Sequence, residues 1–199
     1  MFHHISISNV LQNLHNKMAL PFSSPFSISM LTILFITVVY QAHAQLPPPS
    51  PRQTTSVYYL QDQTTGSNAT VAAVAGLKGR DWNYNSFGTI FVVDDPITLS
   101  PSPSSAVVGR AQGILAVSSH DAANVNVVLS LVFSNSQYSG STLELQGISR
   151  QRENYKELSV VSGTGQFRFV KGYAALQTAF YDPQTTHSVV RLTVTIQTS

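Results

Sequence analysis

Two stretches of this chain alternate apolar and polar residues with a period of two. Val125, Val127, Leu129, Leu131 and Phe133 oppose Asn126, Ser130 and Ser134, and near the C-terminus Val190, Leu192, Val194 and Ile196 oppose Arg191, Thr193, Thr195 and Gln197. Successive side chains of a strand point to opposite faces, so each stretch predicts a half-buried antiparallel strand. Shorter stretches of the same kind predict strands at Ser56–Asp62, Ala69–Ala75, Thr89–Asp94, Val107–Ser118, Thr142–Gly147 and Gly172–Tyr181. Between them lie Gly66-Ser67-Asn68, Ser100-Pro101-Ser102-Pro103, Ser139-Gly140 and Asp182-Pro183, which carry turn chemistry. Eight strands with short connections and no long helical period predict an all-β fold, an eight-stranded antiparallel barrel, because closure removes exposed strand edges.

The N-terminus follows a different pattern. Met30 to Tyr40 is almost continuously apolar and is followed by Ala42-His43-Ala44, which reads as a secretory signal peptide over residues 1–44, with Met18 as an alternative start. The apolar run is shorter than the roughly 20 residues of a membrane-spanning helix, so no membrane anchor is expected. Residues 45–53 contain Pro47, Pro48, Pro49 and Pro51 and read as an extended linker. The barrel domain is assigned to residues 54–199.

Charge and cysteine content narrow the function classes. The leader carries Lys17 and no acid, so the rest of the chain is close to neutral although the whole has a pI of about 9.0. Without a concentrated Lys/Arg block there is no footprint for nucleic acid. The absence of cysteine excludes disulfides and a thiol nucleophile. Asn68-Ala69-Thr70 is an N-glycosylation sequon in a predicted turn, a glycan site if the chain is exported and an ordinary turn otherwise.

Candidate chemistry centres on acids. Asp94 shares a strand face with Ile90 and Val92, and Asp95 shares the other with Phe91 and Val93. Either one acid points into the core, where it needs a partner or a proton, or the strand has ended and Asp94-Asp95-Pro96 is a turn. Asp62 ends a face that carries Tyr58 and Leu60. Arg110 and Gln112 share a face with Val108 and Ile114, and Arg110 serves either as an ion-pair partner for an acid such as Asp94 or as a ligand contact. A strand carrying acids beside one carrying Arg and Gln suggests a barrel lining that is not wholly apolar. Beyond the leader only His120 and His187 remain, too few for a histidine-rich metal site or an obvious Ser-His-Asp triad, and no metal is inferred. Gly163-Thr164-Gly165 lacks the Lys-Ser or Lys-Thr of a phosphate loop.

Four motifs in order carry a family resemblance: Phe87-Gly88-Thr89 through Val93-Asp94-Asp95-Pro96-Ile97-Thr98, Val108-Gly109-Arg110-Ala111-Gln112-Gly113, Gly140-Ser141-Thr142-Leu143, and Val160-Val161-Ser162-Gly163-Thr164-Gly165-Gln166-Phe167-Arg168-Phe169. From about Val57 to the C-terminus the chain resembles the plant dirigent family. The resemblance implies the barrel type shared with allene oxide cyclase, a secreted glycoprotein of the plant apoplast or cell wall, and a homotrimer, with a homodimer as the alternative. It implies no cofactor and no oxidation by the protein itself. An external laccase or peroxidase would supply phenoxy radicals of a monolignol such as coniferyl alcohol, and the barrel would direct their coupling in lignan-type metabolism. Two alternatives stand beside this: a catalyst of the same barrel that eliminates water from a flavonoid-type alcohol through a quinone methide, and a non-catalytic wall protein that binds phenolics.

Asp62 matches the aspartate at the end of the family's first strand and is the candidate proton-transfer group, with Lys156 as second catalytic candidate. Tyr58, Asp94, Arg110 and Ser149 are the candidate substrate contacts, and Asn68 the glycan site. Ser149 and Lys156 stand where lignan-forming members carry aspartate and arginine. Serine is not an acid and lysine lacks the planar fork of arginine, so these two departures predict a poor director of pinoresinol-type coupling that acts on another phenolic.

Overall fold

The computed structural model describes residues 25–44 and 52–198, in two units divided between residues 50 and 51. In the first unit, helix α1 (Pro25–Ala44) carries exposed apolar side chains over residues 28–40. Among the described residues no helix is long and apolar enough to cross a membrane. The alternative start at Met18 and the linker positions 45–51 lie outside the described residues; Arg52 and Gln53, assigned to the linker from sequence, are already in the first strand.

The second unit is a sheet of nine strands: β1 (Arg52–Gln63), β2 (Val71–Ala75), β3 (Ile90–Thr98), β4 (Val107–Val117), β5 (Asn124–Phe133), β6 (Thr142–Arg150), β7 (Lys156–Gly163), β8 (Lys171–Asp182) and β9 (His187–Thr198). Every pairing is antiparallel, in the order β1-β9-β8-β7-β6-β5-β4-β3-β2, and a further pairing of β1 with β3 closes the barrel. Eight strands form the wall, as expected from the sequence, but they are not the eight counted there. The expected set lacked β7 and included β2, which extends the edge of β3 beyond the point where β1 leaves it.

That departure shapes the interior. Tyr59 and Leu60 pair with Thr98 and Ile97, and β2 resumes pairing at Val71 with Val93. Residues 64–69 loop out between. Thr70 re-enters the wall, exchanging hydrogen bonds with Gln63 and accepting one from the Asp94 N–H at 2.8 Å.

The motif around Arg110 has a structural reason as well. Its inward positions Gly109, Ala111 and Gly113 pair with Ile97, Asp95 and Val93. Any side chain at Gly113 would collide with the Val128 carbonyl of the next strand. Small residues let β4 press against β5 and leave room for the Asp95 side chain beside fully buried Ala111.

Apolar residues from alternate positions of every wall strand fill the interior, among them Leu131, Leu145, Leu158 and Leu192. One end is plugged by aromatic rings: Phe133 lies 5.6 Å from Tyr58, 5.4 Å from Phe167 and 5.7 Å from Tyr138, centroid to centroid. Offset and tilted contacts of this kind add to the stabilisation from burial.

Candidate active site

The opposite end of the barrel is hollow. A cavity of about 270 Å3 has apolar sides that include Val93, Val125, Val127, Leu129 and Leu158. Its polar groups come from six of the wall strands and from the first residue after β6: Asp62, Asp95, Ser149, Gln151, Lys156, Gln177, Thr178 and Ser188. Tyr84, from the loop joining β2 to β3, forms part of the wall, its ring stacked on Phe91 at 4.2 Å.

Two carboxyl groups face this space. Asp95 is only 4% exposed and accepts a 2.6 Å hydrogen bond from the Thr70 hydroxyl. Asp62 lies opposite Ser188 in the β1–β9 ladder, and its Oδ1 is buried without a hydrogen-bond partner. Burial disfavours the charged form of both. It pushes Asp62 up to about 6, with the Ser188 hydroxyl and His187 moderating the rise. Asp95 is pushed up to about 8, first by burial and then by the charge of Asp62, with Thr70 opposing the rise. Because the two interact, they titrate in two successive steps that belong to the pair. The Tyr84 phenol is held above its ordinary value, chiefly by burial and then by both carboxylates. The arrangement holds a transferable proton beside a proton acceptor in a mostly apolar chamber near neutral pH.

Of the sequence candidates, the structure brings Asp62, Ser149 and Lys156 together at the cavity. The others lie elsewhere. Tyr58 shares the inward face with Asp62, but it belongs to the aromatic plug and lines only a small void of about 30 Å3 there. Asp94 and Arg110, read as substrate contacts, pair with each other on the outer face of β3 and β4, 2.5 Å from Arg110 Nε to Asp94 Oδ1. Gln112 adds a 3.0 Å bond to the same oxygen, and the Arg110 hydrogen bond is the main reason the Asp94 carboxyl sits below its usual range. Of the two roles open for Arg110, the ion pair is the one observed. The turn reading of Asp94-Asp95-Pro96 is also overturned, since β3 continues through Pro96 to Thr98. Asn68 is exposed in the turn between β1 and β2.

Sequence reasoning left Asp95 without a site role and passed over Tyr84 and Gln151. For Asp95 a signal was present: the small inward residues Gly109, Ala111 and Gly113 of the facing strand mark where a polar side chain fits. Tyr84 and Gln151 lie in loops, where periodicity says nothing about contacts.

A family model described as Dirigent-like protein matches residues 53–197. Dirigent protein 23 of Arabidopsis thaliana is 34% identical over 139 residues, 70% of this chain and 74% of the relative. Pterocarpan synthase 1 of Glycyrrhiza echinata is 34% identical over 167 residues, 80% of this chain and 88% of the relative. Two solved pterocarpan synthase dirigent proteins share the fold. One superposes with a TM-score of 0.68 at 29% identity, covering 77% of this chain and 89% of its own, and the other with 0.67 at 33%, covering 73% and 95%.

Proposed function

Because this chain belongs to the dirigent-like protein family, we propose that it is a dirigent-type catalyst that removes water from a single phenolic alcohol and closes the resulting quinone methide into a ring. The observation that carries this reading is the acid pair, Asp62 and Asp95, facing one cavity. A volume of about 270 Å3 lies at the small end of ligand pockets, which run roughly 300–1,000 Å3. It suits one flavonoid-sized molecule better than two monolignol radicals side by side. Similarity to pterocarpan synthases and the presence of Ser149 and Lys156 in place of an acid and an arginine support the same choice.

In this mechanism protonated Asp95 gives its proton to the benzylic hydroxyl as the C–O bond breaks and water leaves. Ionised Asp62 takes the phenol proton, and the electron pair released moves through the ring to give a neutral quinone methide. An internal hydroxyl then adds to the methide carbon and returns a proton to Asp95, while Asp62 gives its own back to the phenolic oxygen. The net change is loss of one water, with no oxidant. Lys156 and Ser149, from the cavity wall, hold the phenolic oxygen as its charge changes.

The test is incubation of the protein with flavonoid-type benzylic alcohols in the absence of any oxidant. A one-handed product lighter by one water supports the reading. Product only when a laccase or peroxidase is added, from coniferyl alcohol, supports radical coupling instead.

Export, glycosylation and self-association belong to the same proposal. The apolar run ending at Ala42-His43-Ala44 and the exposed sequon at Asn68 support secretion to the apoplast. The exposed band of Val92, Ile114 and Val128 across β3, β4 and β5 supports self-association, which the reading takes to be a homotrimer.

A further inference from the structure

The loop of residues 76–89 walls one side of the cavity through Tyr84. Among the described residues, one hydrogen bond reaches the middle of this loop from elsewhere in the barrel: Gln151 Nε2 donates to the Tyr84 carbonyl oxygen at 2.7 Å. The same nitrogen donates to the Ala122 carbonyl oxygen at 2.6 Å. A carboxamide nitrogen carries two hydrogens, so both are committed, and two carbonyl acceptors fix which way the amide points. Gln151 is anchored independently, its backbone N–H donating to the Ala123 carbonyl at 2.9 Å.

The Ala122 end carries a second observation. Its φ is 57°, in the left-handed region, which a residue with a Cβ adopts only when its surroundings hold it there. The carbonyl held by Gln151 belongs to that residue. One side chain therefore joins a strained turn between β4 and β5, the first residue after β6, and the loop that places Tyr84.

We propose that Gln151 is a positioning residue whose carboxamide staples the β2–β3 loop to the β4–β5 turn and so keeps Tyr84 in place as a wall of the cavity. Without it, hydrogen bonds hold the loop only near its ends, at β2 and at the bonds of Gly88 and Thr89 with Val117, and the middle rests on ring contacts alone, Tyr84 on Phe91 and Phe87 on His120. Tyr84 also borders a second cavity of about 360 Å3 beneath Trp82. Release of the wall would join the two spaces and loosen the fit around a bound phenolic. The kinetic consequence rests on the function proposed above; the staple itself does not.

The test uses Gln151→Glu and Gln151→Met. Trp82 is the chain's single tryptophan, lies in the same loop and is 47% exposed with its indole against Gly76, so its fluorescence reports on the loop alone. At pH 8 the glutamate variant faces two carbonyl oxygens with no hydrogen to donate. Its Trp82 emission should shift to longer wavelength and become more open to acrylamide quenching. Acidification restores one donor and should reverse the shift, whereas wild type stays unchanged and the methionine variant stays shifted at every pH. With a turned-over phenolic, KM should rise about tenfold and kcat change far less, the split expected when binding geometry rather than chemistry is lost. Wild-type emission in both variants overturns the staple whatever the activity. A released loop with unchanged KM overturns the positioning role. If wild type turns over no phenolic, that counts against the proposed function, and the fluorescence alone then decides the staple. Should the glutamate variant fail to fold, the methionine variant carries the comparison.

Discussion

The Thr70 hydroxyl and the Asp95 carboxyl lie 2.6 Å apart, and their bond spans the gap where β1 leaves β3. Thr70 Oγ1 also accepts the Gln63 N–H at 3.0 Å. The side chain thus ties the outgoing strand to the acid of the next one, linking closure of the barrel to the protonation of its site.

Replacing Thr70 by valine keeps shape and removes both bonds. The Gln63 N–H is then left without its acceptor, which costs about 1–3 kcal/mol when a group is buried. Asp95 loses a partner that favours its charged form, so its protonation should persist to higher pH. Urea denaturation of protein made without glycosylation checks the first effect, with Thr70→Ser as the variant that keeps the hydroxyl. Equal stability for valine and serine would remove Thr70 from this role.

The pH dependence of stability has a definite sign. Asp95 moves from 3.8 to about 8 on folding, so between these values the folded protein keeps a proton that the unfolded chain has lost. The stability from this group is fully present below about pH 4 and is lost as pH rises through 8. Asp95→Asn should therefore gain stability relative to wild type as pH rises from 4 to 8. Denaturation midpoints of the two proteins across that range provide the check, and a constant difference would contradict it.

The outer pair behaves differently. Arg110 and Asp94 side chains are 42% and 49% exposed, and ion pairs of this kind contribute about 0–1 kcal/mol. Arg110→Ala should leave turnover within about twofold of wild type and lower stability by no more than about 1 kcal/mol. A large loss of activity with little loss of stability would return Arg110 to the site.

Some of this structure was legible in the residues and some was not. β5 and β9 follow from long unbroken alternation. β7 did not, because its inward row carries only Leu158 and Val160 as large apolar groups before Gly163, with Lys156 at its head. Asp94-Asp95-Pro96 has the chemistry of a turn, yet the strand runs through it. The Asp94 N–H points toward Thr70, so the nitrogen of Pro96 faces the same side, where β1 has departed and no donor is needed. Parity also placed Tyr58 and Asp62 correctly on the inner face. It could not give depth: four residues of strand span about 13 Å, enough to put one at the plug and the other at the cavity.

The most direct measurement is the pH profile of kcat/KM for oxidant-free water loss, taken on wild type and on the Asp62→Asn and Asp95→Asn variants. One acid must be ionised and the other protonated, so the profile should be bell-shaped, with limbs near the values of about 6 and about 8 that belong to the pair. Loss of either acid should lower the maximum by roughly a hundred- to ten-thousand-fold, the usual worth of positioned proton transfer. A profile flat from pH 5 to 9, or an Asp95→Asn variant with wild-type turnover, would contradict the account.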